Sequence, residues 1–260
     1  MGLLEGQVAC VTGRTRGIGR GTAEAFLREG ASVGVNGRSE EKGARALEEM
    51  GGGDQVHFIA GDVKSRGGCE AIVNGTVEHF GRIDILFANA GGAKDHAPVA
   101  ELTDASMQDS LEWNFWHTFW TMQTALGHMI PQGSGRIIAM SSVEGKAGKP
   151  GIAIYVAAKH AINGLVKSAA QEVGTLGITV NAVCPGAIET DIMKAEGPGA
   201  AEAMGLESYE ALLDIFAQQS AIKRLNEVTD VAEVCVLLAS EAGAGITGSL
   251  LSIDGGTSPY

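Results

Sequence analysis

The chain has 260 residues, 45% of them hydrophobic and 19% charged, and a formal net charge of −12. That apolar share supports a large core and excludes a disordered chain, while the acidic balance excludes non-specific nucleic-acid binding, which needs a basic footprint. The 38 glycines against 6 prolines suit many tight strand–helix turns better than a low-complexity linker. The start "MGLLEGQVAC" has no basic segment ahead of a long apolar run, and Gly6 stands where a myristoylation motif needs Ser or Thr. No apolar stretch is long enough to span a bilayer, so a soluble cytoplasmic protein with no membrane partner is expected. The cysteines Cys10, Cys69, Cys184 and Cys235 form no CxxC, and the six histidines show no HxxxH or HExxH spacing. Neither a disulfide framework nor a metal site is expected.

In chain order, "QVACVT" (7–12) predicts a buried strand and 17–28 a helix. "ASVGVN" (31–36) predicts a second strand, and "SEEKGARALEEM" (39–50) a helix capped by Ser39 with Glu40 and Glu41 in its first turn. A strand at 55–60, a helix at 66–80 and a strand at 83–89 follow. A long helical region at 103–129 carries Trp113, Trp116 and Trp120 as an apolar stripe. "GRIIAMSS" (135–142) is a fifth strand, 152–174 a helix and "ITVNAVCPG" (178–186) a sixth strand. Residues 187–207 read as a loop, then come helices at 208–219 and 228–239 and a last strand at 249–254. The alternation predicts an α/β, Rossmann-type doubly wound fold: a seven-stranded parallel sheet with helices on both faces. No composition break marks a linker. One domain over 1–260 is expected, with a substrate loop or lid at about 187–219.

"VTGRTRGIGRG" follows the first strand and opens a helix. Gly13, Gly17 and Gly19 would let the backbone turn sharply and approach a pyrophosphate at a helix N-terminus. At the end of the second strand, NAD-binding folds place an acid on the ribose 2′-hydroxyl. Here Gly37 holds that place and Arg38 follows. With Arg14 and Arg16 in the turn, three guanidinium groups could converge on a 2′-phosphate, favouring NADP(H), with NAD(H) as the alternative. Glu40 and Glu41 are expected to face solvent. Asp62, in "GDV" after the third strand, is a candidate acceptor for an adenine amino group.

"YVAAK" puts Tyr155 and Lys159 one helical turn apart, just after Ser142 at the end of the fifth strand. A phenol titrates near ~10, and an ammonium nearby together with an oxidised nicotinamide would lower that value. Such a Tyr could give a proton to a carbonyl oxygen as hydride arrives, with Ser142 bonded to the same oxygen and Lys159 on a ribose hydroxyl.

With "TGRTRGIG" (Ile18 included), "GDV" (Val63 included), "NAG" (89–91), Asn114, Ser142, "YVAAK", "PG" (185–186) and "DGG" (254–256), the chain resembles the short-chain dehydrogenase/reductase family, in its compact single-domain branch. The resemblance runs from about Gln7 to Gly256, and the spacing of thirteen from Ser142 to Tyr155 is specific to it. It implies a catalytic set of Asn114, Ser142, Tyr155 and Lys159, with Asn114 holding a water that links Lys159 to solvent. It implies cofactor contacts from Asn89, Ala90, Gly91, Pro185, Gly186, Ile188 and Thr190, and a homotetramer (or dimer) with paired long helices at one interface. One departure is Ala88, where the family often has a first Asn before "NAG".

Substrate residues are expected from Lys94, His96, Glu144, Met193 and Phe216. The family's 3-hydroxybutyrate dehydrogenases hold a carboxylate with Gln, His and Lys; Lys94, Glu144 and Ile152 stand at those places, and Glu144 would repel it. A chain this acidic also suits an acyl-carrier-protein substrate poorly. The expected partner is a small-molecule ketone or secondary alcohol, neutral, sugar-like or cyclic. Two rivals are an NAD-dependent dehydrogenase of a sugar, cyclic alcohol or steroid, and a nucleotide-binding regulator without chemistry. The intact Asn, Ser, Tyr and Lys count against the second.

Overall fold

Each short apolar run becomes one strand of a single sheet. A computed structural model describes residues 2–13, 17–94 and 96–258. The strands are β1 (Val8–Val11), β2 (Ser32–Gly37), β3 (Val56–Ala60), β4 (Ile85–Ala88), β5 (Gly135–Met140), β6 (Ile178–Pro185) and β7 (Leu250–Ile253). All pair in parallel in the order β3-β2-β1-β4-β5-β6-β7. The helices are α1 (Gly17–Arg28), α2 (Glu40–Met50), α3 (Arg66–Phe80), α4 (Asp104–Leu111), α5 (His117–Gln132), α6 (Ala153–Val173), α7 (Asp191–Ala203), α8 (Tyr209–Gln219) and α9 (Val228–Ala239).

Because side chains alternate along a strand, the sheet feeds two cores. Ala9, Val11, Ile85 and Phe87 pack with Phe26 of α1 and Val231, Cys235 and Val236 of α9. Cys10, Leu86 and Ala88 face the other way, onto Ile72 and Val73 of α3, Met122 and Ala125 of α5 and Ile162 and Val166 of α6. Burying both faces is why these strands read as continuous apolar runs. The four cysteines are buried and unpaired, as small apolar groups. The chain winds outward from β1 to β3, then returns to β4 on β1's other side. That reversal leaves a crevice beyond the carboxyl ends of β1 and β4, where ligands of such sheets bind.

Two expectations change. The helical region at 103–129 is interrupted: Glu112–Trp116 forms a π-helical turn in which the His117 N–H donates to the Glu112 carbonyl. The extra residue lets Asn114 turn inward, and such turns concentrate at functional sites. The expected loop at 187–207 is mostly helix α7. Thr190 caps it by accepting from the Met193 N–H at 3.4 Å. Its "GPG" (197–199) reads as a helix breaker, yet Gly197 is where α8 packs: an added Cβ there would sit 2.2 Å from the Tyr209 ring. No helix among the described residues is long and apolar enough to cross a membrane.

Candidate active site

A cavity of about 580 Å³ collects residues that follow six of the strands. Gly13 comes after β1, Arg38 after β2, Asp62 and Val63 after β3, Asn89 to Gly92 after β4, Ser141 and Ser142 after β5, and Gly186 with Ile188 and Thr190 after β6. Tyr155 and Lys159 of α6 complete the wall.

At one end lies the glycine turn. The first residues of α1, Gly17, Ile18 and Gly19, line the cavity, so a helix N-terminus borders it. Gly19 is compulsory for packing, since a Cβ there would stand 2.4 Å from Asn89 Nδ2 and 2.8 Å from the Gly13 carbonyl oxygen. Asn89 ties this turn to β4: its Nδ2 donates to the Thr12 carbonyl at 2.9 Å and to the Gly13 carbonyl at 3.1 Å. The Thr12 hydroxyl oxygen accepts from the Asn89 and Ala90 N–H groups at 3.0 and 3.2 Å. Arg14 and Arg16 lie outside the described residues. Arg38 is exposed on the cavity rim, beside Gly37 and Asn36. The Asn36 amide is turned away onto the Ile59 and Gly61 carbonyls at 3.2 and 3.1 Å. Glu40 and Glu41 are exposed in the first turn of α2, behind the Ser39 cap, and do not line the cavity. Asp62 lines it and bonds the Lys64 N–H at 3.1 Å.

At the other end lies the Tyr155 phenol, held beside the Ser142 hydroxyl. Lys159 is almost wholly buried, and its Nζ donates to the Met140 carbonyl at 2.7 Å and stands 5.4 Å from the centre of the Tyr155 ring. Burial dominates both groups. It pushes the Tyr155 phenol well above its usual range, and it brings Lys159 down from 10.5 to about 7. The expected lowering of Tyr155 by Lys159 is therefore absent from the protein alone, because taking either charge out of water costs more than this pairing returns. Ser142 opposes the rise by hydrogen bonding, and the Glu144 carboxylate adds to it.

Asn114 is buried at the π turn and does not line the cavity. Its side chain clamps Gly92, accepting from the Gly92 N–H at 3.1 Å and donating to the Gly92 carbonyl at 3.1 Å and the Ser110 carbonyl at 3.0 Å. Of the expected substrate residues, Lys94 alone lines the cavity, with its Nζ 5.0 Å over the Trp113 ring and 3.5 Å from Asp109. His96, Glu144, Met193 and Phe216 do not line it. Phe216 instead lies under the Lys149 ammonium at 4.9 Å, and Glu144 binds Ser142 and Lys149.

Several lining residues escape a sequence reading: Lys64, Trp113, Asp191, Ile192 and Glu196, the last three from α7. His117 is another residue of the site that the sequence conceals. It is fully buried with Nε2 2.8 Å from the Thr12 hydroxyl, and burial brings it down from 6.5 to about 3, Lys159's charge adding to the effect. Its only sequence signal is a histidine three residues after Asn114, among the aromatic residues Phe115, Trp116, Phe119 and Trp120.

Comparison with known proteins agrees with this geometry. The family model for short chain dehydrogenase matches residues 7–201. A 3-oxoacyl-[acyl-carrier-protein] reductase FabG of Staphylococcus aureus is 36% identical over 250 residues, 95% of this chain and 96% of that protein. The short chain dehydrogenase/reductase astE of Aspergillus oryzae is 36% identical over 98% of this chain and 96% of its own length. Among solved structures, a variant of actinorhodin polyketide ketoreductase with NADPH superposes with a TM-score of 0.92 at 34% identity, covering 98% of both chains. ElxO with NADP bound superposes at 0.88 with 31% identity, over 98% of this chain and 99% of that one.

Proposed function

We propose, from the premise that this chain belongs to the short-chain dehydrogenase/reductase family, that it is an NADP(H)-dependent oxidoreductase interconverting a ketone and a secondary alcohol. Oxidoreductase activity between carbonyl and CH–OH with a nicotinamide cofactor is the chemistry of the family. The observation that carries the finer reading is one cavity that holds a glycine turn at one end and Tyr155, Ser142 and Lys159 at the other.

The residues fit a dinucleotide. The turn has no room for side chains at Gly19, the α1 N-terminus supplies N–H donors to an anion, and no carboxylate stands at the end of β2, where Gly37 and Arg38 lie. Gly13, Gly17, Ile18 and Gly19 would hold the pyrophosphate, Arg38 with Arg14 and Arg16 the 2′-phosphate, Asp62 and Val63 the adenine. Asn89, Ala90 and Gly91 would shape the middle of the groove, and Pro185, Gly186, Ile188 and Thr190 would meet the nicotinamide. NADPH in actinorhodin ketoreductase and NADP in ElxO support that preference.

When bound, the cofactor supplies or accepts hydride. The protein's task is the proton. Tyr155 donates it to the carbonyl oxygen in reduction and removes it in oxidation, and Ser142 contacts the same oxygen. Lys159, fixed on the Met140 carbonyl, is poised near neutrality to pass a proton onward. Asn114 positions the loop after β4 through Gly92 and leads Lys159 to solvent through water. Helices α7 and α8 form a lid on a single domain, and Lys94 at the rim meets the substrate. A cytoplasmic homotetramer is part of this proposal; the four unpaired cysteines support a reducing compartment.

The test is parallel oxidation of NADPH and NADH, followed by absorbance, against ketones, diketones, keto sugars and cyclic ketones. Faster turnover with NADPH is expected. A preference for NADH would overturn the cofactor assignment, and cofactor binding without turnover on any carbonyl would overturn the reaction.

A further inference from the structure

The Ser142 hydroxyl carries one proton, and the structure commits it to Glu144. Ser142 Oγ donates to the Glu144 carboxylate and accepts from the Glu144 N–H at 3.3 Å. A single 3₁₀ turn, Val143–Gly145, with Ser142 as its cap, produces this closure. The Glu144 side chain is only 17% exposed, and its other oxygen lies 3.5 Å from Lys149 Nζ. Lys149 is itself held over the Phe216 ring. Among the described residues, the other charged or titratable groups around the pair are Tyr155 and Lys159 of α6, Cys184 of β6 and Lys146, whose Nζ bonds the Leu250 carbonyl and Ser252.

A hydrogen bond from Ser142 favours the Tyr155 phenolate, and Glu144 competes for the one proton that makes it. While Glu144 holds that proton, Ser142 offers only lone pairs to the side where Tyr155 lies. A carbonyl oxygen has no proton to give such a group, and neither does a phenolate. We propose that Glu144 is a positioning residue that competes with the substrate oxygen for the proton of Ser142 and so holds Tyr155 in its proton-bearing form. This rests on the reaction proposed above. Reduction starts from a protonated tyrosine, so Glu144 favours the starting state for carbonyl reduction. Ser142 becomes a donor to the substrate only when Glu144 releases it toward Lys149. No bond other than hydrogen bonds changes in this step. The Ser142 proton moves from one acceptor to another, and the Tyr155 proton still goes to the substrate oxygen.

The experiment is a double-mutant cycle with a pH axis: parent, Ser142→Ala, Glu144→Gln and both together, assayed for ketone reduction and alcohol oxidation. In the parent, Ser142→Ala is expected to cost a few-fold, because the proton is already committed. In the Glu144→Gln background it is expected to cost about tenfold or more, because the freed hydroxyl then supports the developing charge. The alkaline limb of alcohol oxidation is expected to move to lower pH in Glu144→Gln. Equal Ser142→Ala losses in both backgrounds, with an unmoved limb, would overturn the proposal. An activity-free readout separates its failure from failure of the reaction itself. Ultraviolet titration of Tyr155 in a Tyr209→Phe/Tyr260→Phe background is expected to show phenolate forming at lower pH once Glu144→Gln is added. No movement there overturns the role of Glu144 even if no carbonyl is turned over.

Discussion

The Thr12 hydroxyl lies 2.8 Å from His117 Nε2, and the same oxygen accepts the N–H groups of Asn89 and Ala90. With its lone pairs taken, Thr12 must donate, so His117 Nε2 must accept and the imidazole must be neutral. One buried histidine thereby fixes the contact between β1 and β4 on which the glycine turn rests.

Acid stability follows from that arrangement. His117 falls from 6.5 to about 3 in the folded protein, so the unfolded chain takes up a proton first as pH drops. The stability associated with neutral His117 is whole above pH 6.5 and is lost between there and pH 3, at up to about 1.4 kcal/mol per pH unit. Urea unfolding of His117→Asn across this window is expected to show a shallower decline than the parent. A parallel decline would show that His117 is not the group responsible.

Lys159 gives the opposite balance of stability and function. Its folded value near 7 against an ordinary 10.5 means the ammonium is unfavourable where it sits. Stability associated with it rises as pH climbs from about 7 to 10.5, because the unfolded state holds the extra proton over that range. Lys159→Met is therefore expected to unfold at a higher temperature than the parent at pH 6.5, with a narrower gap at pH 9, while ketone turnover is lost. Thermal unfolding at the two pH values checks the sign.

Most of this fold and site is legible in the sequence, and the failures have physical causes. Strands buried on both faces announce themselves as apolar runs, and the glycine turn and the Ser142–Tyr155–Lys159 spacing are local in sequence. The π turn at Asn114 is not legible, because Trp113, Trp116 and Trp120 keep ordinary helical spacing in the sequence across it. Helix α7 is hidden by "GPG", whose Gly197 serves contact with Tyr209 and not chain reversal. Glu144 and Phe216, expected at the substrate, are both occupied by Lys149, a pairing no spacing rule announces. The balance between burial and charge at Tyr155 likewise depends on the packed environment and has no trace in the motif.

Two glycines separate backbone need from mere occupancy. Gly91 has φ +147°, and a Cβ there would lie 2.5 Å from Asn114 Oδ1. Gly91→Ala is expected to cost about 1–3 kcal/mol and to reduce turnover. Gly127 sits exposed inside α5 with nothing within 4 Å of an added Cβ, so Gly127→Ala is expected to stabilise by about 0.5–1 kcal/mol. Chemical denaturation of both variants measures the contrast.

In the proposed reading cofactor choice turns on Arg38, beside which Gly37 and not an acid ends β2 on the rim. Arg38→Asp is expected to weaken NADPH about tenfold to a hundredfold and leave NADH level or improved. Fluorescence titration of each cofactor measures this, and an unchanged NADPH affinity would mean Arg38 does not reach the 2′-phosphate.

The central claim is that Tyr155 handles the proton. Tyr155→Phe removes one hydroxyl from the wall of the cavity and leaves the glycine turn untouched. Measured side by side, its NADPH affinity is expected to match the parent while ketone turnover drops about 10²- to 10⁴-fold. Turnover equal to that of the parent would contradict the mechanism outright.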